Sequence, residues 1–461
     1  MRKKILGILI VGLLIATIIP VGSDSIQTID KQVNENFEYL CPVMSDPSTI
    51  QLPIEYEEYP TMPPIPIDVS GRELNFFDIN LINSPGEFNW KNIDGKDWTT
   101  PAKNQGQCGS CWLFSAMGAL ESVINIREGC AELDPDLSEQ YVLSCLPAAG
   151  SCNGGNITKC VFYFINNTSS DGNYHNGIIT EECFKYQSNF DYIPPCSEKS
   201  ESWEDFLVPI SDYGESWTYY NTPELRDTIK SLVYQKGPIM VYFWVSERFI
   251  NWGTLHKLPS QYYPDYNEDC PNFVNHGITI VGWKDDSSVG NGGYWICKNT
   301  WGPDWGYDGF FNIEYDCLNL GGFIAWVDYD PESFNWGPIV PEINGPTSGA
   351  PGEEYEFLFT SMDPDGDDDI YYYIDWGDGL VEEWIGPYES GVSVEINHIW
   401  ENKNTYNIRV KAKDIYGKES AWSDPLPITM PYSYYPKNQF LELLFERFPQ
   451  VFPILRQLLG Y

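Results

Sequence analysis

Positive charge is scarce in this chain. Its 461 residues carry 27 Lys and Arg against 66 Asp and Glu, a formal net charge of −39. Nucleic acid and anionic membranes are held through basic faces, so the balance argues against both as partners and for a soluble, acidic surface. Histidine is scarcer still, with His175, His256, His276 and His398 the complete set. Any chemistry that needs an imidazole therefore has four places to be. Beyond Ile5–Ile19 no stretch is long and apolar enough to cross a bilayer. Cysteine stops at Cys317, and eleven of the twelve lie between Pro85 and Asp330. One stapled domain is thus followed by a stretch that uses no staples.

What is present divides the chain. Met1-Arg2-Lys3-Lys4, the apolar Ile5–Ile19 and the breaker Pro20 with small residues after it read as a removable signal peptide over 1–23. Export makes disulfides permissible and a redox dithiol a poorer reading of close cysteines. Residues 24–84 are polar, extended and rich in proline. The Gly-, Trp- and Cys-rich part runs over 85–335, and 42% hydrophobic residues with 15% aromatics are ample for packed cores. Over 340–430, segments such as YEFLFTSM, YYYIDW and YNIRVKAKD alternate apolar and polar residues between turns, as a β-sandwich does. Residues 342–430 hold 19 Asp and Glu against 5 Lys and Arg, a net of 5 − 19 = −14. The tail, 431–461, reads as two amphipathic helical pieces broken by Pro449 and Pro453.

The stretch QGQCGSCWLFS (105–115) raises the chemical question. A Cys-x-x-Cys serves as a redox pair, as half a zinc site, or as a nucleophile beside a structural cysteine. Leu113, Phe114, Met117, Leu120 and Ile124 recur at helical spacing, so a buried helix is expected to begin at Ser110–Cys111. A thiol there feels the positive helix end, which stabilises thiolate, whereas Cys108 in the loop does not. A thiolate that cleaves acyl bonds also needs a base. His276 opens the alternating strand HGITIVGW, a turn-rich loop follows, and YWICKN (294–299) returns. A hairpin centred near 287–288 would set His276 beside residue 299 or 300, where Asn299 offers an amide oxygen to orient the imidazole. Trp301 could shield that bond from water. Gln105, six residues before Cys111, could join the Cys111 backbone N–H as donors to an oxyanion.

These motifs, with SCNGG (151–155), VNHGITIVGW (274–283) and YWICKNTWGPDWGYDGFFNI (294–313), resemble the papain-like cysteine proteases of the cathepsin group. The resemblance implies an α+β domain of two subdomains, one helical and one β-barrel-like, with the cleft between them. It implies Cys111 as nucleophile, His276 as acid and base, Asn299 as orienting residue and Gln105 as oxyanion donor, acting on protein or peptide substrates without a cofactor. Gly154 and Gly155 would pair with substrate backbone, Ile157, Tyr242 and Val274 would line the pocket for the second residue before the cleaved bond, and Asn275 would be a further substrate-binding residue. Asn275 stands where the family commonly has Asp, and Thr300 where it commonly has Ser. The likeness pairs Cys108 with Cys152, Cys270 with Cys317, and Cys145 with Cys183 or Cys196. It leaves Cys130, Cys160 and Cys297 unassigned, and makes 24–84 a short pro-region covering the cleft. Two rivals are a binding protein with the first domain as scaffold, and a peptide ligase sharing the acyl-enzyme.

DPDGDDDIYYYIDWGDG (363–379) and HIWENKNTYNIRVKAKDIYG (398–417) resemble a PKD-like domain, an all-β immunoglobulin-like sandwich. Such a module implies a spacer or a contact with a cell surface or polymer. The alternating Asp363, Asp365 and Asp367 would suit weak calcium binding, against the plainer reading of an acidic turn. No metal is assigned to the catalytic residues.

Overall fold

The computed structural model describes residues 65–66, 81, 83–157, 159–160, 177–189, 191–217, 223–266, 273–366, 369–430 and 446–447. The signal peptide, nearly all of 24–84, almost the whole tail, and Cys41, His175, Cys270 and Asp367 lie outside the described residues. The strands of the first domain are, in chain order, β1 (Ile65–Pro66), β2 (Glu87–Asn89), β3 (Gly150–Ser151), β4 (Gly154–Gly155), β5 (Ile178–Ile179), β6 (Leu207–Val208), β7 (Asp212–Trp217), β8 (Ile239–Phe243), β9 (Phe273–Val274), β10 (His276–Asp285), β11 (Gly293–Lys298), β12 (Phe310–Glu314) and β13 (Phe323–Asp328). Helices Cys111–Glu128, Glu139–Cys145, Pro223–Lys236 and Glu247–Leu255 accompany them.

The helix from Cys111 begins where its apolar spacing puts it and runs to Glu128. Gly129 then turns left-handed at φ 68°, its N–H reaching the carbonyls of Asn125 and Ile126, which is how a glycine closes a helix. Every residue from Cys111 to Asn125 is buried, so this is an interior helix rather than an amphipathic surface one. It packs on a mostly antiparallel sheet ordered β12-β11-β10-β8-β13-β7, with β2 also pairing β10. The eight residues His276–Trp283 of β10 are all buried, which explains why this strand reads as a near-continuous apolar run. Gly277 is required by the contact: a Cβ there would lie 3.0 Å from the Cys111 carbonyl and 3.1 Å from Trp112 Cα.

The hairpin corrects the expected register. Thr279 faces Lys298 and Ile280 faces Cys297, and a bulge then shifts the pairing so that Gly282 faces Ile296. The centre therefore lies nearer 289 than 287–288, and β11 stops at Lys298, one residue before Asn299. His276 extends beyond the paired part of β11 and is flanked in the ladder by Phe243 of β8.

The second domain adds β14 (Glu342–Asn344), β15 (Glu354–Thr360), β16 (Ile370–Asp375), β17 (Val381–Tyr388), β18 (Val394–Ile399), β19 (Thr405–Lys413) and β20 (Leu426–Thr429). They form a sandwich of a three-stranded sheet, β14-β15-β18, and a four-stranded one, β17-β16-β19-β20. Alternation is strict where both sheet faces differ: Tyr406, Ile408, Val410 and Ala412 of β19 are buried between solvent-facing neighbours. The core is aromatic, with Trp376 and Trp400 fully buried among Phe357, Phe359 and Tyr372. The two domains meet through Ile339, whose N–H reaches the Met362 carbonyl at 2.9 Å, and through Asn335, whose Nδ2 donates to Asp414 Oδ2 at 2.7 Å.

Candidate active site

Two bridges fix the loops around the helix start. Cys108 joins Cys152, as the resemblance implies, and Cys145 joins Cys196, which decides between its two expected partners. Cys183, Cys130, Cys160 and Cys297 are buried thiols, and burial raises the pKa of each. The Cys108 bridge holds the loop that Gln105 begins, and Gly109 N–H adds a 2.8 Å bond to the Cys152 carbonyl. Cys111 then opens the helix, fully buried, behind Ser110, which supplies no side-chain cap. The Ser110 carbonyl instead takes the N–H groups of Leu113 and Phe114 at 2.8 and 3.1 Å.

His276 is wholly buried, and its Nε2 sits 2.8 Å from Asn299 Oδ1. The amide oxygen can only accept, so it fixes the proton on Nε2 and leaves Nδ1 as the exchanging nitrogen. Nδ1 is buried and, among the described residues, makes no hydrogen bond. Burial lowers the His276 pKa to about 4, and the Asn299 bond works in the opposite direction. An isolated imidazolium is therefore costly here, and a neighbouring anion is what would hold its proton. Trp301 lies over the imidazole with ring centroids 4.5 Å apart, and Trp305 backs it at 5.0 Å, edge-on.

Gln105 is buried and fixed at both ends of its amide. Its Nε2 donates to the Cys108 carbonyl at 2.7 Å, and its Oε1 accepts from Thr300 Oγ1 at 2.5 Å. Thr300 also donates its N–H to Asn299 Oδ1 at 2.9 Å, while its carbonyl takes the Gln105 N–H at 2.9 Å. Gln105, Thr300, Asn299 and His276 form one connected chain of bonds. The substitution of Thr for Ser keeps the hydroxyl on which that chain depends.

The proposed substrate-side residues separate into two kinds. Gly154 and Gly155 form β4 opposite Gly150 and Ser151, and a Cβ on Gly155 would meet the Trp112 ring at 2.3 Å. Ile157, Tyr242 and Val274 are fully buried in one cluster, and the Tyr242 hydroxyl accepts the Ile157 N–H at 3.0 Å. Val274 pairs with Ile65 of β1. Asn275 is a clip in this structure: its Oδ1 takes the Val245 N–H at 2.7 Å, tying β10 to the loop after β8. The other described histidines are structural, His256 stacked on Trp252 at 4.6 Å and His398 bonded to Asp378 at 2.8 Å. Asp363 Oδ1 accepts the Asp365 N–H at 3.0 Å, and among the described residues no group of three or more His, Cys, Asp or Glu is arranged to hold a metal.

One set of residues was not anticipated from sequence. Lys103 Nζ lies 2.6 Å from Glu121, 2.5 Å from Asp136 and 3.2 Å from Glu139, under the helix. Burial lowers the Lys103 pKa, but the three carboxylates outweigh it and hold the ammonium well above the usual lysine range. Lys298, beside Asn299, donates to Thr100 Oγ1 at 2.6 Å, and burial brings its pKa down to about 8. The available signals were Glu121 inside the apolar helix and Lys298 at the end of an apolar strand.

Comparison with known proteins finds matches for both domains. The family model for papain family cysteine protease matches residues 84–322, and that for the PKD domain matches residues 340–424. Cathepsin J of Mus musculus is 31% identical over 248 residues, which is 51% of this chain and 64% of that protein. Fruit bromelain of Ananas comosus is 30% identical over 253 residues, 54% of this chain and 60% of its own length. Procathepsin L of Mus musculus is 30% identical over 252 residues, 54% of this chain and 66% of that protein. The chain thus spans less than two thirds of each of these relatives. A solved PKD domain of an M14-like peptidase from Thermoplasmatales archaeon SCGC AB-540-F20 is 50% identical, covering 21% of this chain and 98% of that one at a TM-score of 0.20. Among the described residues no helix is long and apolar enough to cross a membrane.

Proposed function

Because this chain belongs to the papain family of cysteine proteases, we propose that it is a secreted cysteine endopeptidase, made as a zymogen, that hydrolyses peptide bonds through a Cys111 thioester. The observation that carries this reading is the buried His276, bonded to Asn299 through Nε2 at 2.8 Å, with Nδ1 left over on the strand that packs against the start of the Cys111 helix.

The chemistry follows from charge. The helix end stabilises a thiolate on Cys111, and that anion supplies what His276 lacks for holding a proton in a dry site. Cys111 Sγ attacks the peptide carbonyl, and the oxyanion is met by the Cys111 N–H and Gln105 Nε2. His276 gives its proton to the departing amine, leaving a thioester. Water then attacks with His276 as base, and the acid leaves as the thiol is restored. The amide of Gln105 is oriented in advance by Thr300, so little reorganisation is needed when charge develops.

Substrate backbone would pair along Gly154 and Gly155, and an apolar or aromatic side chain would enter beside Ile157, Tyr242 and Val274. The zymogen part of the reading is supported by β1, which pairs antiparallel with Phe273–Val274, immediately before Asn275 and His276. The domain limits 85–335 for the peptidase and 340–430 for the sandwich belong to the same reading, with the sandwich as the module that contacts a cell surface or polymer.

A thiol-directed epoxide or iodoacetamide tests the core of this. After removal of the pro-region, Cys111 is expected to be alkylated far faster than glutathione and to take hydrolysis of a peptide library to zero with it. Cys111→Ala that still cleaves the library, or a Cys111 no faster than glutathione, sinks the proposal.

A further inference from the structure

The outer face of the four-stranded sheet differs in chemistry from the rest of its acidic domain. Tyr371, Tyr373 and Asp375 of β16 pair across the ladder with Lys413, Lys411 and Arg409 of β19. Three of the domain's five Lys and Arg thus occupy alternate positions of a single strand. Rings cover the same face. Tyr373 contacts Trp384 at 5.5 Å and Trp422 at 5.7 Å between centroids, both close to edge-on. Lys413 Nζ stands 4.2 Å from the Trp384 centroid, Lys411 Nζ 5.0 Å from it, and the Arg409 guanidinium 5.0 Å from that of Trp422.

The backbone is distorted to present one of these rings. Trp384 has φ +49°, a region that large side chains rarely occupy, and it sits where β17 slips register against β16 between Tyr372 and Ile374. Such bulges re-aim a side chain, and a strained non-glycine residue points to a use for that aim. Two cations on the face are already neutralised, Arg409 by Asp375 at 3.0 Å and Lys411 by Glu419 at 2.5 Å. Lys413 is in no ion pair among the described residues, and its ammonium stands beside an indole.

We propose that this face binds a polysaccharide of acidic sugars, one ring packing on Trp384 or Trp422 while its carboxylate pairs with Lys413. This rests on the reading of the sandwich as a polymer-contact module and names its surface and ligand class. Flat apolar sugar faces suit partly exposed indole and phenol rings, of which Trp422 is the most open at 38%, and the lone ammonium selects an anionic substituent. An extended peptide is disfavoured because β16 is hydrogen-bonded on both sides, by β17 and β19, and offers no edge to add a strand to.

The test is affinity electrophoresis of full-length Cys111→Ala protein through gels containing polygalacturonate, dextran or no polymer. EDTA is present so that calcium cannot bridge carboxylates. Polygalacturonate is expected to retard the protein, dextran to leave it unaffected, and free poly-L-glutamate to displace nothing. Lys413→Gln, a mild surface change, should weaken retardation at least tenfold, and Trp422→Ala should do so independently. In otherwise active protein, both should cleave a short peptide at the parental rate. Retardation unaltered in both variants, equal retardation by dextran, or displacement by poly-L-glutamate overturns the inference while leaving polymer contact standing in the first two cases. No retardation by either polymer overturns both readings together.

Discussion

Two histidines, one in each domain, have almost the same surroundings. His276 Nε2 lies 2.8 Å from an oxygen of Asn299, and the ring is covered by Trp301 at 4.5 Å. His398 Nε2 lies 2.8 Å from an oxygen of Asp378, and the ring is stacked on Trp376 at 4.4 Å. The distances do not separate them; the charge of the partner and the occupant of the far side do. Asp378 offers a carboxylate to an imidazole that is largely covered, its side chain 9% exposed, in a pairing that joins the WGDG turn to the β18 strand. Asn299 supplies only a dipole to a buried one. His276 is thereby oriented without being given a counter-charge, and in the proposed mechanism the Cys111 thiolate provides it. On the proposed reading, the catalytic histidine is distinguished from the structural one by what its neighbours withhold.

The comparison can be broken most sharply by removing each ring. His276→Ala is expected to lower kcat/KM by about a thousandfold or more, the scale on which removing a catalytic base or nucleophile acts. His398→Ala should leave kcat/KM within about twofold and instead cost the sandwich roughly 1 kcal/mol in a denaturant titration, the worth of a partly exposed pair. Parallel effects on activity would erase the distinction. Exchanging the partner is the next largest test. Asn299→Asp gives His276 the carboxylate that His398 has, which favours imidazolium, so the alkaline limb of the kcat/KM profile should move upward, with a loss of about tenfold near neutrality. An unmoved limb would mean that Asn299 does not act through the ring.

The smallest effect is on stability. In Cys111→Ala protein no thiolate compensates His276, whose pKa falls to about 4 through burial. The unfolded chain, with a histidine near 6.5, then binds the extra proton between pH 4 and 6.5, so stability rises with pH across that window. Adding His276→Ala should flatten this slope, removing up to about 3 kcal/mol of pH dependence. Urea melts at pH 4.5 and 6.5 read the difference directly.

Much of the site was legible because its parts are local. The start of the helix at Cys111 follows from apolar spacing, and His276 and Asn299 lie on two arms of one hairpin. Their meeting was reached through a slightly wrong register, since a bulge falls at Ile280–Gly282, where β2 also pairs with β10, and no hairpin arithmetic contains it. Cys145 could be paired only once the fold set Cys196 beside it. The Lys103, Glu121 and Glu139 cluster was invisible for the same reason: each charge has a neutral reading alone, and the burial that couples them is three-dimensional. That Asn275 also ties down the Val245 loop needs the fold to be seen, since the two lie 30 residues apart in the chain. The aromatic face of the sandwich depends on a strained Trp384 that alternation alone treats as any strand residue.

The bridge from Cys108 to Cys152 has a practical consequence. A thiol enzyme purified in air is usually revived with a reducing agent, and that agent does not distinguish a nucleophile from a tether. Here the tether lies three residues ahead of Cys111 and anchors the carbonyl to which Gln105 is bonded. If the proposed peptidase reading holds, reductant in excess would switch the enzyme on and then loosen the loop that carries Gln105. The dose–response to dithiothreitol would be a hump rather than a plateau, with its falling side marking where Cys108 lets go.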